Sequence, residues 1–503
     1  MQSIPPAGGG QGPAYRTTLF QEFKEDLKAF KSAFSQTRTG SRATKFILGL
    51  MLATGRKTCM ASKYWRNEYD DETADLKVFS RSEWSVLDWF DAVLLRVLSF
   101  LDPTEPFVVG IDDSATPKTG KGLHNARNVH NPLAPKWMKQ RIMWGVRFLH
   151  FSALLTFGYA ALRPYSIPVS FLPRPAAKKP RRRNLSESEL AEYQAAKKST
   201  RLTRFASEGI QALRDRLNRL GQKTRRLLIV VDGSFMNGPV VAKAIPGVDI
   251  IGRIRGNARL FLKAVIRSRN QFYGDPLPTP EELEKDRSHH WKSIKVWWAG
   301  DIRDLQIKVL PEVYWKAGTK KRPMRLIVVK GTQYKPKTKR RRKRAGMKPV
   351  KFQMRKSGYL LTTDLTSDPA WLVQKALDRW QLEQVHRDVK TGLGIGHPQV
   401  HNPKSEDRLP SAMVAMYSLW ALAVLRRYGP CWTPAAVPIR QRQLRRIEFL
   451  KRNGQRWERR FTYQDLIRIL RSEVQMANLW PGDGPVAWAP PGYPLPVRTS
   501  FTV

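Results

Sequence analysis

The chain has 503 residues and a mass of 57.8 kDa, which is enough for several domains with cores of their own. It carries 89 Lys and Arg residues against 42 Asp and Glu residues, a net charge of +47 that makes a polyanion the expected partner. The two cysteines, Cys59 and Cys431, exclude a disulfide framework and a cysteine-based zinc site.

A membrane location is not expected from the sequence. It shows no signal peptide, and the apolar runs 148–162 and 413–425 are too short or too polar to span a bilayer. Both runs are typical of buried strands or helices. We therefore expect a cytoplasmic protein without a membrane partner.

The N-terminal part of the chain is predicted to be helical. Residues 1–16 are rich in Gly and Pro and are predicted to be disordered. Residues 17–105 are predicted to form a helical domain, because apolar residues such as Phe20, Phe23 and Leu27 recur at helical spacing between basic corners. We interpret this domain as a DNA-binding module, with a purely structural helical cap as the alternative.

Two predicted strands end in acidic residues. The apolar run 107–111 ends in Asp112 and Asp113, and the apolar run 227–231 ends in Asp232. Acids at the carboxyl ends of strands lie where open α/β sheets place their ligands. The alternative is that Asp112 and Asp232 only begin turns or cap helices. We favour Asp112 over Asp113, because it is the first polar residue after the strand and successive side chains face opposite ways.

A predicted helix over 370–391 carries a third acid between two cations. Arg379, Glu383 and Lys390 share one face of this helix, because spacings of four and seven fit its period. An acid flanked by cations suits a site where a metal meets a phosphate, and three acids so placed are what two-metal phosphoryl chemistry requires. The alternative is a surface helix in which Glu383 pairs with Arg379 and with Arg387.

The remaining elements predict an α/β fold with a mixed, RNase H-like sheet. Its first part is expected over 106–256 and its second part over 357–428, because strands, a helix and two further strands precede the acidic helix. The segment 257–356 is too long for a simple connection and is predicted to be a β-rich, basic insertion subdomain. A helical C-terminal region, 429–503, completes the chain.

A run of basic residues near the end of the predicted insertion is expected to bind phosphates. It is expected to be disordered alone and to become ordered on a polyanion, with a nuclear-import signal as the alternative. Its central residues are Arg340, Arg341, Arg342, Lys343 and Arg344.

The order and spacing of these motifs resemble the DDE transposases of bacterial insertion sequences. Residues 111–114 with the following Lys-Gly turn resemble the first acidic motif of that family, and residues 231–235 resemble the second. Arg379, Glu383 and Lys390 resemble the third motif of the group that reads Y-x-x-R-x-x-x-E-x-x-x-x-x-x-K. The resemblance extends over most of residues 20–425. One departure is that Ala376 stands where the motif has Tyr.

The resemblance implies an activity, a cofactor and partners. Two Mg²⁺ ions, replaceable by Mn²⁺, are expected between Asp112, Asp232 and Glu383, and the reaction is cleavage of transposon ends followed by joining of the 3′-OH to target DNA. The partners implied are terminal inverted repeats, target DNA and a second copy of the chain, and the location is the bacterial nucleoid. The residues expected to contact phosphate beside the acids are Arg379, Lys390, Arg387 and Lys118.

Two other functions remain open from the sequence. One is a DNA-binding protein derived from a transposase that no longer cuts, although the presence of all three acids argues against it. The other is a structure-specific nuclease of the same fold that does not join strands. Trp297 and Trp298 are candidates for stacking on an unpaired base, with core packing as the alternative.

Overall fold

A computed structural model describes most of the chain. The residues it describes are 18–66, 72–120, 122–131, 134, 141–157, 164–175, 177, 180, 186–265, 271–298, 301–334, 353–431 and 460–476. They divide into two compact units, Met1–Ala92 with Leu419–Val503, and Val93–Ser418. The expected disordered N-terminus, 1–16, and the basic run 340–344 lie outside the described residues.

The first unit is built from helices of both chain ends. Stacking of Phe30 on Trp89, with ring centroids 4.2 Å apart, and the edge contact of Phe23 with Trp420 fill its core. The C-terminal helix lies in this core, where the carboxylate of Glu473 accepts a hydrogen bond from Phe20 N–H at 2.9 Å. Its helices are α1 (Leu19–Lys31), α2 (Thr37–Leu52), α3 (Cys59–Arg66), α4 (Glu72–Ser80), α5 (Val86–Leu98, which continues into the second unit) and, at the C-terminus, α13 (Tyr463–Met476).

The second unit is organised around a mixed sheet. In the described residues twelve strands join it: β1 (Phe107–Pro117), β2 (Ala126–His130), β3 (Ile142–Leu155), β4 (Tyr165–Pro173), β5 (Leu227–Val231), β6 (Val248–Arg253), β7 (Phe261–Lys263), β8 (Tyr273–Pro276), β9 (Lys292–Trp298), β10 (Asp301–Tyr314), β11 (Pro323–Val329) and β14 (Gly358–Thr362). The strands β12 (Gln333–Tyr334) and β13 (Gln353–Met354) pair separately. The order in the sheet is β2-β3-β1-β5-β6-β14-β11-β10-β7-β8, with β4 beside β3 and β9 beside β10.

The centre of the sheet has parallel and antiparallel halves. β1 runs parallel to β5, and β5 runs parallel to β6, whereas β3 is antiparallel to both β1 and β4. β5 is buried at all five positions, as expected for a parallel strand covered on both faces. The mixed sheet and the order of its elements are consistent with an RNase H-like fold.

The strands of the predicted insertion continue this same sheet. β14 pairs with β6 on one side and with β11 on the other, and β11 pairs with β10. All of these pairings are antiparallel. The apolar residues Ile294, Ile307 and Ile327 of this region join one core with Val108 and Val230 of the central strands. The region 257–356 therefore extends the sheet that carries the acidic residues.

Helices cover both faces of the sheet. The helices of the second unit include α6 (Glu187–Ser199), α7 (Leu202–Arg219), α8 (Gly238–Val241), α9 (Pro280–Lys285), α10 (Pro369–Asp378) and α11 (Gln381–Arg387). On one face of the sheet, Leu372 of α10 and Leu382 of α11 pack into the core described above. On the other face, Gly209 of α7 lies against the ring of Phe151.

The helix α12 is longer than its apolar run suggests. It spans Pro403–Tyr428, of which the residues from Leu419 onward belong to the first unit, and it begins well before residue 413, where the apolar run starts. In the described residues it is the one helix long and apolar enough to cross a membrane, and 94% of its most apolar window is buried inside the protein. Such burial is typical of a core helix.

Candidate active site

Asp112 lies at the point where β1 separates from β5. The parallel pairing of these strands stops at Gly110, but β1 continues beside β3 as far as Pro117. The expectation that the strand ends at Asp112 is therefore wrong in detail, since both aspartates lie inside a longer strand. Local apolarity could not reveal this, because the continuation depends on pairing with β3.

Asp232 directly follows β5 and organises a turn. Its Oδ1 accepts hydrogen bonds from Ser234 N–H at 2.9 Å, Ser234 Oγ at 2.7 Å and Phe235 N–H at 3.2 Å. The residue thus caps a turn, as the alternative interpretation expected. All three bonds use Oδ1, so the turn does not occupy Oδ2 of this half-buried carboxylate.

The helix that carries Glu383 is interrupted, whereas the sequence predicts one continuous helix over 370–391. Asp368 caps α10 through Trp371 N–H at 3.2 Å, as predicted, but α10 and α11 are separated at Arg379 and Trp380. There the backbone hydrogen bonds span three residues instead of four: Leu382 N–H donates to Arg379 O, and Glu383 N–H donates to Trp380 O. A π-helical turn over Asp388–Gly392 follows α11.

Arg379 binds Asp112 instead of Glu383. Its Nη1 lies 2.9 Å from Asp112 Oδ2, and only 16% and 13% of the two side chains are exposed. The exposed Arg387 donates to Gln384 Oε1 at 2.7 Å. In the described part of the chain neither arginine forms an ion pair with Glu383, so the surface-helix alternative is wrong on this point. Glu383 itself is exposed.

The electrostatics of Asp112 show that the three acids share one region. Burial raises the pKa of Asp112 to about 6, against the opposing effects of Arg379 and of the hydrogen bond from Asp113 N–H. The carboxylates of Asp232 and Glu383 raise this pKa further. Burial lowers the pKa of Lys390, while Glu383, Asp113 and Asp112 act to raise it. The structure therefore brings the three predicted acids, Arg379 and Lys390 to the middle of β1, where its pairing with β5 has stopped.

Asp113 faces the other side of the sheet. Its Oδ2 lies 2.5 Å from Nε of Arg147 on β3. The sequence also offers Lys118 and Lys121 as partners of Asp113. Lys121 lies outside the described residues, and Lys118 donates to the carbonyl oxygens of Gly396 and Pro398 at 3.0 and 3.1 Å. Lys118 therefore anchors the loop after the π-helical turn.

Two buried histidines connect the acidic helix to the sheet. His386 lies on α11 and its Nε2 is 3.1 Å from Nδ1 of His150, which in turn contacts Ser152 Oγ. Burial lowers the pKa of His386 to about 3, and Lys390 and Arg379 lower it further; burial also takes the pKa of His150 well below its usual value. Sequence analysis missed this pair, because two histidines 236 residues apart carry no local signal.

The three acids have suitable donor atoms for a divalent cation, but their side chains are not gathered closely enough to form a metal site. Carboxylate oxygens are the donors that Mg²⁺ and Mn²⁺ prefer, and a cation would offset the burial and, to a smaller extent, the neighbouring carboxylates that raise the pKa of Asp112. In the described residues no group of three His, Cys, Asp or Glu side chains is close enough to hold a metal ion. Arg379 also occupies one oxygen of Asp112. Binding of a cation through Oδ2 of Asp112 would therefore require that Arg379 release this oxygen.

The aromatic residues near the site differ in their exposure. Trp380, which sequence analysis did not single out, is 68% exposed between Arg379 and Glu383. Trp298 is half-buried against the core, with Arg355 4.0 Å above its ring, and Trp297 exchanges backbone hydrogen bonds with the Gln374 side chain. The core-packing interpretation of Trp298 therefore agrees with its contacts.

The chain is an α/β protein whose mixed sheet gathers acids and cations where β1 separates from β5, and these groups suit chemistry on phosphate esters. Residues 29–322, more than half of the chain, match the DDE superfamily endonuclease family. The chain belongs to this family. The match includes Asp112 and Asp232 and ends before Glu383.

Solved structures add a more distant likeness. The chain is similar to the piggyBac transposase in a cryo-EM structure of its synaptic complex with hairpin DNA, with 14% identity and a TM-score of 0.30. This similarity covers 91% of the present chain and 86% of the other. No curated protein matches the chain at a significant level.

Proposed function

We propose that this DDE endonuclease is a transposase of the bacterial insertion-sequence type with the Y-R-E-K third motif. It binds terminal inverted repeats, cleaves the DNA ends and joins the 3′-OH to target DNA, and it does so as a homodimer in the synaptic complex. The observation that carries this proposal is the gathering of Asp112, Asp232 and Glu383 beside Arg379 and Lys390, where β1 separates from β5.

Asp112, Asp232 and Glu383 are the residues proposed to hold two Mg²⁺ ions, which Mn²⁺ can replace. Bound divalent cations supply Lewis acidity toward phosphate oxygens and lower the pKa of bound water. The carboxylates contribute hard oxygen donors, and Asp232 offers Oδ2 because its turn uses Oδ1. No energy cofactor is required, since one phosphodiester is exchanged for another.

The cations beside the acids are proposed to hold the DNA strand. Arg379 exchanges Asp112 for a phosphate oxygen when DNA and metal are bound, and the planar guanidinium suits such an exchange. Lys390 is half-buried within electrostatic reach of Glu383, Asp113 and Asp112 and screens charge on the reacting phosphate. Trp380 offers an exposed ring on which a base freed from the duplex can stack.

The products of one assay distinguish the proposed transposase from the two rival functions. The full-length protein is incubated with DNA carrying the inverted repeats that flank its gene, with Mg²⁺, Mn²⁺ or a chelator, and then with target plasmid. A transposase yields both cut ends and joined product, a structure-specific nuclease yields cut ends alone, and a non-cutting derivative binds without cutting. We expect both cut ends and joined product. In the cell, we expect the protein to lie in the cytoplasm at the nucleoid.

Glu383 provides the sharpest test of the site. Glu383→Ala should lower the cleavage rate by several orders of magnitude, each decade corresponding to about 1.4 kcal/mol of barrier. Folding and DNA affinity should persist, because Glu383 is exposed and the positive charge lies elsewhere. The matched control is Glu208→Ala, which removes an exposed acid that pairs with Arg204 on α7. Near wild-type cleavage by Glu383→Ala would show the site to be misassigned.

A further inference from the structure

Three arginines lie side by side on the face of the sheet that Asp113 occupies. Arg147 of β3 is placed opposite Ala115, two residues after Asp113, so its side chain shares the face of Asp113. Arg127 of β2 is placed opposite Gly145, two residues before Arg147, and shares that face also. Arg174 follows β4, and its N–H donates to Arg147 O at 2.7 Å.

The cluster of Arg127, Arg147 and Arg174 carries more positive charge than its acid neutralises. Asp113 accepts a hydrogen bond from Arg147 Nε at 2.5 Å. The other two arginines donate to neutral backbone oxygens: Arg127 Nη1 donates to Pro175 O at 3.3 Å, and Arg174 Nε donates to Thr200 O. Three guanidinium groups thus share one carboxylate.

One donor of this arginine cluster is left without a partner. Nη2 of Arg127 is buried and has no hydrogen-bond acceptor within the described residues. A buried cationic donor that lacks an acceptor is costly, and an incoming anion would satisfy it. Burial and the neighbouring arginines together lower the pKa of Arg127 and of Arg174 to about 10 each, and Asp113 acts in the opposite direction. The positive potential of the cluster is therefore only partly compensated.

We propose that the arginine cluster is a phosphate-binding site for the DNA backbone, on the opposite face of the sheet from the cleavage acids. The inference rests on the proposed function and adds a second DNA contact to it. Guanidinium groups in a row match the oxygens of successive phosphodiesters through paired N–H donors. Because Asp112 and Asp113 face opposite sides, the strand held here is not the one being cut.

The neighbouring sequence favours a polymer over a small phosphate compound. Shortly after Arg174 the chain carries five basic residues, and shortly before β3 it carries three more. These residues are Lys178, Lys179, Arg181, Arg182 and Arg183 on the first side and Lys136, Lys139 and Arg141 on the second. A stretch of sequence this rich in positive charge favours a polyanion over a single small anion, because each phosphate contact of a polyanion releases counterions.

The test measures the salt dependence of DNA binding in the full-length chain. Arg127→Gln and Arg174→Gln are compared with Arg204→Gln, which removes the same charge from an exposed ion pair with Glu208 on α7. The probe is a short DNA duplex of arbitrary sequence, because phosphate contacts do not depend on sequence. Each cluster variant should reduce the slope of log K against log salt by about 0.9, the value for one phosphate contact, and Arg204→Gln should not.

Two further readouts separate this inference from a structural role and from the proposed function. Arg127→Gln should leave the thermal midpoint unchanged or higher, since it removes an unsatisfied buried donor. It should raise the DNA concentration needed for half-maximal cleavage and leave the rate at saturating DNA unchanged. A salt slope equal to that of wild type overturns the inference, whether or not the thermal midpoint is lower. Cleavage and joining by the wild-type protein test the proposed function separately.

Discussion

Gly110 lies directly against Leu382, and this contact sets the distance between β1 and the acidic helix. A Cβ atom added at Gly110 would stand 2.7 Å from Leu382 Cδ1 and 3.2 Å from Leu382 Cδ2. Leu382 is fully buried, so it cannot move aside freely. The missing side chain therefore allows α11 to approach close enough for Arg379 to reach Asp112.

We expect Gly110→Ala to destabilise the protein and to disturb the site. Overpacking of this kind costs about 1–3 kcal/mol in a packed core, and the displacement of α11 should separate Arg379 and Glu383 from Asp112. Urea denaturation and the cleavage rate measure the two effects. Gly122→Ala is the control, because a Cβ there meets no atom within 4 Å. Adding Leu382→Ala to Gly110→Ala should restore part of the activity; no restoration would place the defect elsewhere.

The two neighbouring aspartates should respond differently to loss of charge. Asp112→Asn is expected to abolish cleavage, because it removes a proposed metal ligand and the partner of Arg379. Asp113→Asn is expected to cost about 1 kcal/mol through its weakened bond to Arg147 and to leave measurable activity. Cleavage is assayed at saturating Mn²⁺ as well as Mg²⁺, so that a weakened metal site is not mistaken for a lost ligand. An inactive but folded Asp113→Asn beside an active Asp112→Asn would reverse the assignment.

The buried histidine pair predicts a loss of stability at low pH. The pKa of His386 is about 3 in the folded chain and 6.5 is its ordinary value, so the unfolded state binds more protons between these limits. Stability is thus complete above pH 6.5 and falls as the pH falls through this window, by about 2 kcal/mol at pH 5 from His386 alone. His150 contributes in the same direction.

Thermal unfolding of wild type and His386→Gln across pH 5 to 8 measures this effect. Gln can still offer a donor to His150 but does not titrate, so the midpoint of the variant should depend less on pH. Comparing the two proteins cancels the contributions of other ionisable groups. Parallel pH profiles would mean that His386 is not held neutral in the folded protein.

The basic run 340–344 should contribute to affinity without contributing to sequence choice. If about ten phosphates are neutralised by the whole protein, log K should fall with log salt at a slope near −9. Replacing Arg340, Arg341, Arg342, Lys343 and Arg344 by Gln should flatten that slope and leave the preference for terminal repeats intact. Filter binding at several salt concentrations checks both points. A slope equal to that of wild type would exclude the run from the DNA contact.

Local sequence patterns predicted the elements whose causes are local. The run Leu227–Val231 forms a fully buried strand, and Asp368 with Pro369 begins a helix, because apolarity and capping act within a few residues. The break at Arg379 and Trp380 was not predicted. It lies beside Leu382, whose packing on Gly110 depends on a strand more than 250 residues earlier in the chain.

Long-range pairing accounts for the other differences. The strands β9 to β11 showed the alternation of a β-rich region, but the sequence could not show that they would join the central sheet through β14. Arg379 pairs with Asp112 and not with Glu383 for the same reason, since Asp112 lies on a strand distant in sequence. The candidate acids could be proposed from the sequence because Asp112 and Asp232 follow apolar runs and Glu383 stands between two cations at helical spacing.

The alternation of side chains along β1 makes its alignment with β3 critical. A slip of a single residue would carry Asp113 to the side of α11 and turn Asp112 toward Arg147, together with every apolar neighbour. Only one of the two arginines would then have a carboxylate at its own level, and that carboxylate would belong to the neighbouring residue. Arg379 and Arg147, acting from opposite faces, therefore favour the correct register. A deletion of one residue early in β1 would place Asp113 where Asp112 now lies without altering either acid.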